Sequence, residues 1–319
     1  MKNYNFIQRF LHDFVLSKKL INKSLFELEK IFYLKKYDFK HQSHIFITGL
    51  PRSGTTSLLN FIYSSGEYAS LTYENIPFVL SPNLSKLYNK SSIPLKERLH
   101  KDDIYFDNSS PEAFDEIFFN NDELFIKDEL SNYINLIIQS KKKNKYLSKN
   151  NLNFKRIDLI LSILPNSFFL IPIREPLQHS FSLMNQHFNF CKLQKNNDFI
   201  RRYMNYLGHN EFGLEHKSWN KPILYNEFQN INYWLEQWFI FYDDIYKKYK
   251  LNNKCLFIKY EKLSDDFYIE NLLKKLNFTK ENNINLGFFK NKNKEINNLE
   301  YDKQLYEKAK LTYEKFENN

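Results

Sequence analysis

Glycine is scarce in this chain of 319 residues: six occur, at positions 49, 54, 66, 208, 213 and 287. Against that background Gly49 and Gly54, five residues apart just after an apolar run, mark a backbone segment that admits no side chain. Cysteine is scarcer still. Cys191 and Cys255 make neither a disulfide framework nor a metal-binding pattern, which suits a reducing cytoplasm. No apolar run approaches the ~18 residues that a membrane span needs, so the chain is not expected to span a membrane. Gln8, Arg9, His12 and Asp13 interrupt the N-terminus, which therefore does not read as a secretory signal. Repeats and linkers are missing too. One domain over 1–319, opening with a helical segment at 1–40, is the expected organisation, and a cytoplasmic location goes with it.

What the chain has in quantity is core material: 42% hydrophobic residues, with 31 Phe, 22 Tyr and 3 Trp. That excludes a disordered chain. The formal net charge of +9 suits a polyanionic ligand, whether nucleic acid, nucleotide or acidic glycan. The lysines are dispersed and no nucleic-acid module is recognisable, so a basic nucleic-acid-binding protein is the weaker alternative and no nucleic-acid partner is expected. Short β-prone runs at 44–48, 167–173 and 255–260 alternate with helical patterns at 58–63, 95–101, 111–121, 128–141 and 176–190. Pro111 is expected at a helix start. Residues 185–230 read as an irregular lid or insertion on the acceptor side. Tyr233, Trp234 and Trp238 share one helix and read as core. The alternation predicts an α/β fold, a central parallel β-sheet flanked by helices, with helical insertions.

The segment Thr48-Gly49-Leu50-Pro51-Arg52-Ser53-Gly54-Thr55-Thr56-Ser57 has the strand, the G-x-x-x-x-G spacing and the helix start of a phosphate-binding loop. Backbone N–H groups of such a loop and of the first helical turn cradle a phosphate or sulfate. Thr55, Thr56 and Ser57 add hydroxyl donors. A nucleoside-triphosphatase loop carries lysine after its second glycine; here Thr55 stands there, and the cation is Arg52 inside the loop. No apolar strand ends in an aspartate suited to magnesium. These departures weaken the alternative of a P-loop nucleotide kinase or hydrolase and suit sulfuryl transfer, in which less charge has to be neutralised.

Pro51-Arg52-Ser53-Gly54-Thr55-Thr56 resembles the 5′-phosphosulfate loop of sulfotransferases that use 3′-phosphoadenosine 5′-phosphosulfate (PAPS), in the arginine-bearing form of bacterial and Golgi-type members. A second motif supports the resemblance. Arg174 follows the strand at 168–173 and Ser182 lies eight residues on in the next helix, at the sheet edge where ligands of open α/β sheets bind. Arg174 and Ser182 match the R-x7-S pattern of that family's 3′-phosphate site. The stretches 145–151 and 156–166 and the element Tyr260-Glu261-Lys262-Leu263 are also similar to family elements. The resemblance implies a P-loop-like sulfotransferase fold, PAPS as donor without a metal, and a role for Arg52 at the reacting group.

In-line sulfuryl transfer to an acceptor hydroxyl, or to an amine, also needs a base. Glu74, in Leu71-Thr72-Tyr73-Glu74-Asn75, resembles the glutamate base of several arginine-type members and is expected to emerge at the sheet edge; Glu67 reads as a solvated turn residue. Ser110-Pro111-Glu112 resembles an acceptor-side helix of some relatives. His179, His187, His209 and His216 have no metal-ligand spacing and are expected to be structural or substrate-facing. Lys290, Lys292 and Lys294 read as a solvated charge run that could close over a 3′-phosphate. The acceptor is left open among a glycan, a peptide tyrosine, a lipid headgroup and a small alcohol.

Overall fold

Alternation of apolar side chains along short strands decides the architecture. The computed structural model describes residues 6–88, 92, 94–98, 103–121, 127–278, 285–289 and 299–318. The chain runs through α1 (Phe6–Leu16), α2 (Lys19–Tyr33), β1 (Ile45–Ile47), α3 (Thr55–Tyr63), β2 (Tyr68–Ala69), β3 (Lys96–Glu97) and β4 (Tyr105–Phe106). Next come α4 (Glu116–Phe119), α5 (Lys127–Lys141), β5 (Lys145–Lys149), α6 (Ile157–Ile163), β6 (Phe168–Ile173) and α7 (Pro176–Lys195). The rest are α8 (Asp198–Tyr206), α9 (Ile231–Tyr249), β7 (Cys255–Lys259), α10 (Asp266–Lys275) and α11 (Lys303–Glu314).

Five of the strands form one parallel sheet in the order β2-β5-β1-β6-β7. Phe46, Tyr146, Phe169, Ile171 and Ile173 face one layer, which holds the apolar residues of α5, α7 and α9. Ile45, Ile47, Leu147, Leu170 and Ile258 face the other, against Leu58, Phe61 and Ile62 of α3 and Ile269 and Leu272 of α10. Burial on both faces is what a parallel sheet requires, and it explains the apolar runs of β1, β6 and β7. β3 and β4 stand apart as an antiparallel hairpin.

The three strand expectations correspond to β1, β6 and β7. β2 and β5 escaped sequence reading, β2 because it has two residues and β5 because Lys-Tyr-Leu-Ser-Lys carries three polar side chains. Two helix expectations fail. Residues 96–97 form β3 and not part of a helix at 95–101. At 111–121 only Glu116–Phe119 is α-helical; Pro111 instead bridges Thr72 in antiparallel fashion, and Glu112 N donates to the Leu71 carbonyl at 3.1 Å. This extended segment runs beside the exit of β2, where backbone pairing overrides the local helical pattern.

Aromatic side chains of α9 hold the end of β6. Trp238 Nε1 donates to the Arg174 carbonyl at 3.2 Å and the Tyr242 hydroxyl to the Pro172 carbonyl at 2.9 Å. Trp234 and Trp238 are fully buried, as expected of core. Glu175 caps α7 by accepting from Gln178 N at 2.7 Å, and its other oxygen accepts from the Tyr306 hydroxyl at 3.0 Å. Through Glu175, α11 is tied to the strand end that carries Arg174. No described helix is long and apolar enough to cross a membrane.

Burial also fixes the charge state of four histidines. It pushes the pKa of His44, His187 and His216 down to about 4 and that of His179 down to about 3. The unfolded chain, with histidines near their ordinary value, takes up protons first as pH falls, so acid favours unfolding. The midpoint of thermal unfolding should therefore drop steeply between about pH 6.5 and 5, above the range in which ordinary carboxylates titrate. A midpoint that stays flat across that window, measured by differential scanning fluorimetry, would contradict neutral burial of these rings.

Candidate active site

The loop between β1 and α3 lies at the carboxyl end of the sheet. Gly49 (φ 139°), Arg52 (φ 71°) and Gly54 (φ 99°) all have left-handed backbone. At Gly54 the requirement is double, because a Cβ there would stand 2.8 Å from the Tyr260 ring. Gly54 caps α3 without a side-chain hydrogen bond, so the N–H groups of the first turn are turned to the cavity with the positive end of the helix dipole. A cavity of about 820 Å³ opens there.

Of the loop residues singled out in the sequence, Arg52, Gly54, Thr55, Thr56 and Ser57 line this cavity. Pro51 and Ser53 brace the loop from behind. Ser53 is fully buried and its hydroxyl donates to the Leu50 carbonyl at 2.7 Å. The Pro51 carbonyl lies 2.7 Å from His179 Nε2. A carbonyl can only accept, so Nε2 carries the proton. The ring is neutral because burial disfavours its charged form, outweighing the Pro51 contact, and the arginines Arg174 and Arg52 lower its pKa further. His179 thus holds the loop from α7.

Arg174 and Ser182 line the same cavity. The Arg174 guanidinium lies over the Tyr260 ring at 4.9 Å, in cation–π range. Arg52 Nε donates to Ser182 Oγ at 3.3 Å, so the two motifs, 130 residues apart, meet side chain to side chain.

Glu74 does not join them. Thr72 N donates to Asn75 Oδ1 at 2.9 Å, closing a capping box around the short turn Tyr73–Asn75. That turn carries the Glu74 side chain, 53% exposed, out to Lys141 Nζ at 3.2 Å. Glu67 pairs with Lys145 at 2.7 Å. A different carboxylate stands near the loop. Glu112 accepts from the Tyr73 hydroxyl at 3.0 Å and lies 3.7 Å from Arg98 and 3.9 Å from Lys149. Arg98, from the stem of the β3–β4 hairpin, donates in turn to Thr56 Oγ1 at 3.3 Å. Burial would raise the Glu112 pKa, but Lys149 and Arg98 more than offset it and hold the carboxyl below its usual range.

Sequence reading missed Arg98 and Lys149. Arg98 had no motif, and residues 95–101 were read as a helix. Lys149 is the last residue of β5 and pairs in register with Ile47 of β1, which puts it beside the loop; recognising β5 as a strand would have found it. The segment bearing Glu112 is anchored from behind by Arg156, whose guanidinium meets Glu116 at 2.8 and 2.9 Å.

The remaining histidines lie elsewhere. His187 and His216 belong to an aromatic cluster with Phe228 and Trp234. His209 Nε2 lies 3.0 Å from the Ala113 carbonyl. Of the lid expected at 185–230, only Asn185, Gln186 and Asn189 line the cavity, and all three belong to α7. Lys290, Lys292 and Lys294 lie outside the described residues.

Substituting Gly54→Ala should cost about 1–3 kcal/mol of stability through backbone strain and the clash with Tyr260, and should weaken binding of inorganic pyrophosphate. Chemical denaturation and calorimetric titration would check both. An alanine variant with unchanged stability and affinity would show that the loop tolerates a side chain there.

Comparison with known proteins agrees with this geometry. The profile of the sulfotransferase family matches residues 44–216, more than half of the chain, from the entry to β1 to beyond the end of α8. The crystal structure of a sulfotransferase of Mycobacterium tuberculosis, STF1, superposes with a TM-score of 0.52 at 11% identity, covering 96% of this chain and 85% of that one. At that identity the likeness is one of fold. STF9, a sulfotransferase of Mycobacterium avium, aligns at a TM-score of 0.46 and 10% identity over 95% of this chain and 76% of its own. No curated protein matches. With its phosphate-binding loop at the carboxyl end of a parallel sheet and its profile match across that core, the chain belongs to the sulfotransferase family.

Proposed function

We propose that the protein transfers the sulfuryl group of PAPS to an acceptor hydroxyl by in-line displacement. The observation that carries this reading is the convergence of two arginine sites on one cavity, joined by the Arg52–Ser182 contact at 3.3 Å. PAPS presents anionic groups at two ends. Its 5′-phosphosulfate fits the loop, with Arg52, the N–H groups of Gly54 to Ser57 and the hydroxyls of Thr55 and Thr56 around it. Its 3′-phosphate fits Arg174 and Ser182. That second contact separates PAPS from ATP, which has no 3′-phosphate. Tyr260 and the Phe288–Phe289 pair, with ring centroids 5.2 Å apart, offer an aromatic wall for adenine.

In the reaction the acceptor oxygen bonds to sulfur while the bond from sulfur to the bridging phosphate oxygen breaks. The acceptor proton passes to a carboxylate, and adenosine 3′,5′-bisphosphate leaves. Arg52 and the helix N-terminus take up the charge that grows on the bridging oxygen. We assign the carboxylate to Glu112. It is one guanidinium removed from Thr56 and two cations keep it in the ionised form a base needs, though they also lower its basicity. It also orders Arg98, which lines the cavity, with Lys149 paired behind it. Glu74, turned out to Lys141, has neither role.

Two measurements test this. Adenosine 3′,5′-bisphosphate should raise the unfolding midpoint more than ATP does, and Arg174→Ala should remove the difference; equal stabilisation of the wild type by both nucleotides would sink the PAPS assignment. In turnover assays Glu112→Gln should lower kcat about a hundredfold or more with bisphosphate affinity retained, whereas Glu74→Gln should stay within a few fold. The reverse ranking would return the base to Glu74. Because the Glu112 pKa is depressed, its protonation should not limit turnover until pH falls below the ordinary carboxylate range.

A further inference from the structure

Beyond Ser182, the cavity wall formed by α7 consists of carboxamides. Asn185 and Asn189, with Gln178 and Ser182, follow one helical face at spacings of four, three and four residues, and Gln186 lies beside them. No side chain of α7 in this wall is charged. The opposite side of the helix is committed to the core through His179, Leu183, Met184, His187 and Phe190. Gln186 is 5% exposed, and its amide nitrogen has no hydrogen-bond partner among the described residues. A buried donor without an acceptor destabilises the fold, so a ligand oxygen is the natural partner for it.

From this wall we infer that the acceptor is an uncharged, polyhydroxylated molecule, a neutral sugar, held by Asn185, Gln186 and Asn189. The inference rests on the sulfotransferase reading of the cavity and adds the substrate class. A carboxamide both donates and accepts, as a sugar hydroxyl does, so a row of them matches adjacent hydroxyls. Phe181 and Tyr105, also in the lining, offer apolar faces to the C–H side of a ring. Among the described residues of the hairpin, Arg98 and Asp103 line the cavity, one charge of each sign, so these two add no net charge that would select an acidic peptide or an anionic headgroup. A phenol or an alkyl alcohol would offer one hydroxyl and leave the buried Gln186 amide nitrogen unpaired, and such a site rejects molecules lacking the expected hydroxyls.

The test uses the full chain with radiolabelled PAPS and a panel of methyl glycosides and neutral oligosaccharides, set beside a tyrosine peptide, 4-nitrophenol, a long-chain alcohol and phosphatidylglycerol vesicles. Neutral saccharides should be sulfated in preference to all the others. Gln186→Leu should raise the saccharide KM about five- to tenfold while affinity for adenosine 3′,5′-bisphosphate, measured separately by calorimetry, stays within about twofold. Asn185→Leu should act in the same direction. Preferred sulfation of the phenol, peptide, alcohol or lipid would overturn the inference, as would a saccharide KM untouched by Gln186→Leu. So would a protein that binds the bisphosphate yet sulfates no saccharide in the panel. A protein that does not bind the bisphosphate at all would instead overturn the donor assignment, so the two failures are distinguishable.

Discussion

One hydrogen bond carries an unusual share of this site, the one from His179 Nε2 to the Pro51 carbonyl at 2.7 Å. The phosphate-binding loop has left-handed backbone at Gly49, Arg52 and Gly54, and Arg52 adopts that conformation without the freedom of glycine. Such a turn persists only when its surroundings over-determine it. His179 does this from α7, Ser53 from within the loop, and the Tyr260 ring by closing the space over Gly54. Burial keeps the ring neutral, with Arg174 and Arg52 lowering its pKa further, and the Pro51 carbonyl fixes its single proton on Nε2.

The same helix links this support to the rest of the cavity. α7 starts at the end of β6, whose carbonyls at Pro172 and Arg174 are held by Tyr242 and Trp238 of α9. Its first turn is capped by Glu175, which α11 grips through Tyr306. Arg174 thus sits at a braced strand end, and His179 and Ser182 follow on α7, where helix geometry sets their separation. A donor with anionic groups at both ends needs that kind of fixed spacing, since rigid placement of both charges lowers the ordering cost of binding.

The sequence showed the loop and the R-x7-S motif because both depend on local chemistry: glycines at fixed offsets, a cation, and hydroxyls at a helix start. It showed β1, β6 and β7 because parallel strands covered on both faces, β7 at the sheet's edge included, carry apolar runs. It did not show β5, whose Ser148 is satisfied by the buried carboxylate of Asp115 and whose Lys149 meets Glu112. Polar residues in a central strand lose the apolar signature exactly because their partners lie far along the chain. Glu74 stands apart from the loop for the complementary reason. The segment has the residue types of a site, but the Thr72–Asn75 capping box, a matter of backbone geometry, turns the carboxylate outwards.

Glu112 deserves its place on electrostatic grounds beyond position. A buried carboxylate between two cations is costly to desolvate unless its oxygens are hydrogen-bonded, and here the Tyr73 hydroxyl and the Ala113 N–H supply those bonds. Arg98 and Lys149, left without it, would repel each other and an arginine-rich neighbourhood already holding Arg52 and Arg174. With it, the local sum stays positive while Arg98 and Lys149 remain paired at the loop's edge, which suits the proposed donor with anionic groups at both ends. Charge on a transferring sulfuryl group is best met by groups already in place, because reorganisation at the moment of reaction adds to the barrier. The carboxylate that orders the cations and the loop that orders the donor are joined at Thr56, where Arg98 donates to a hydroxyl of the first turn of α3. Positioning of acceptor-side and donor-side machinery is therefore not independent, and a change at the hairpin stem is felt in the anion cradle.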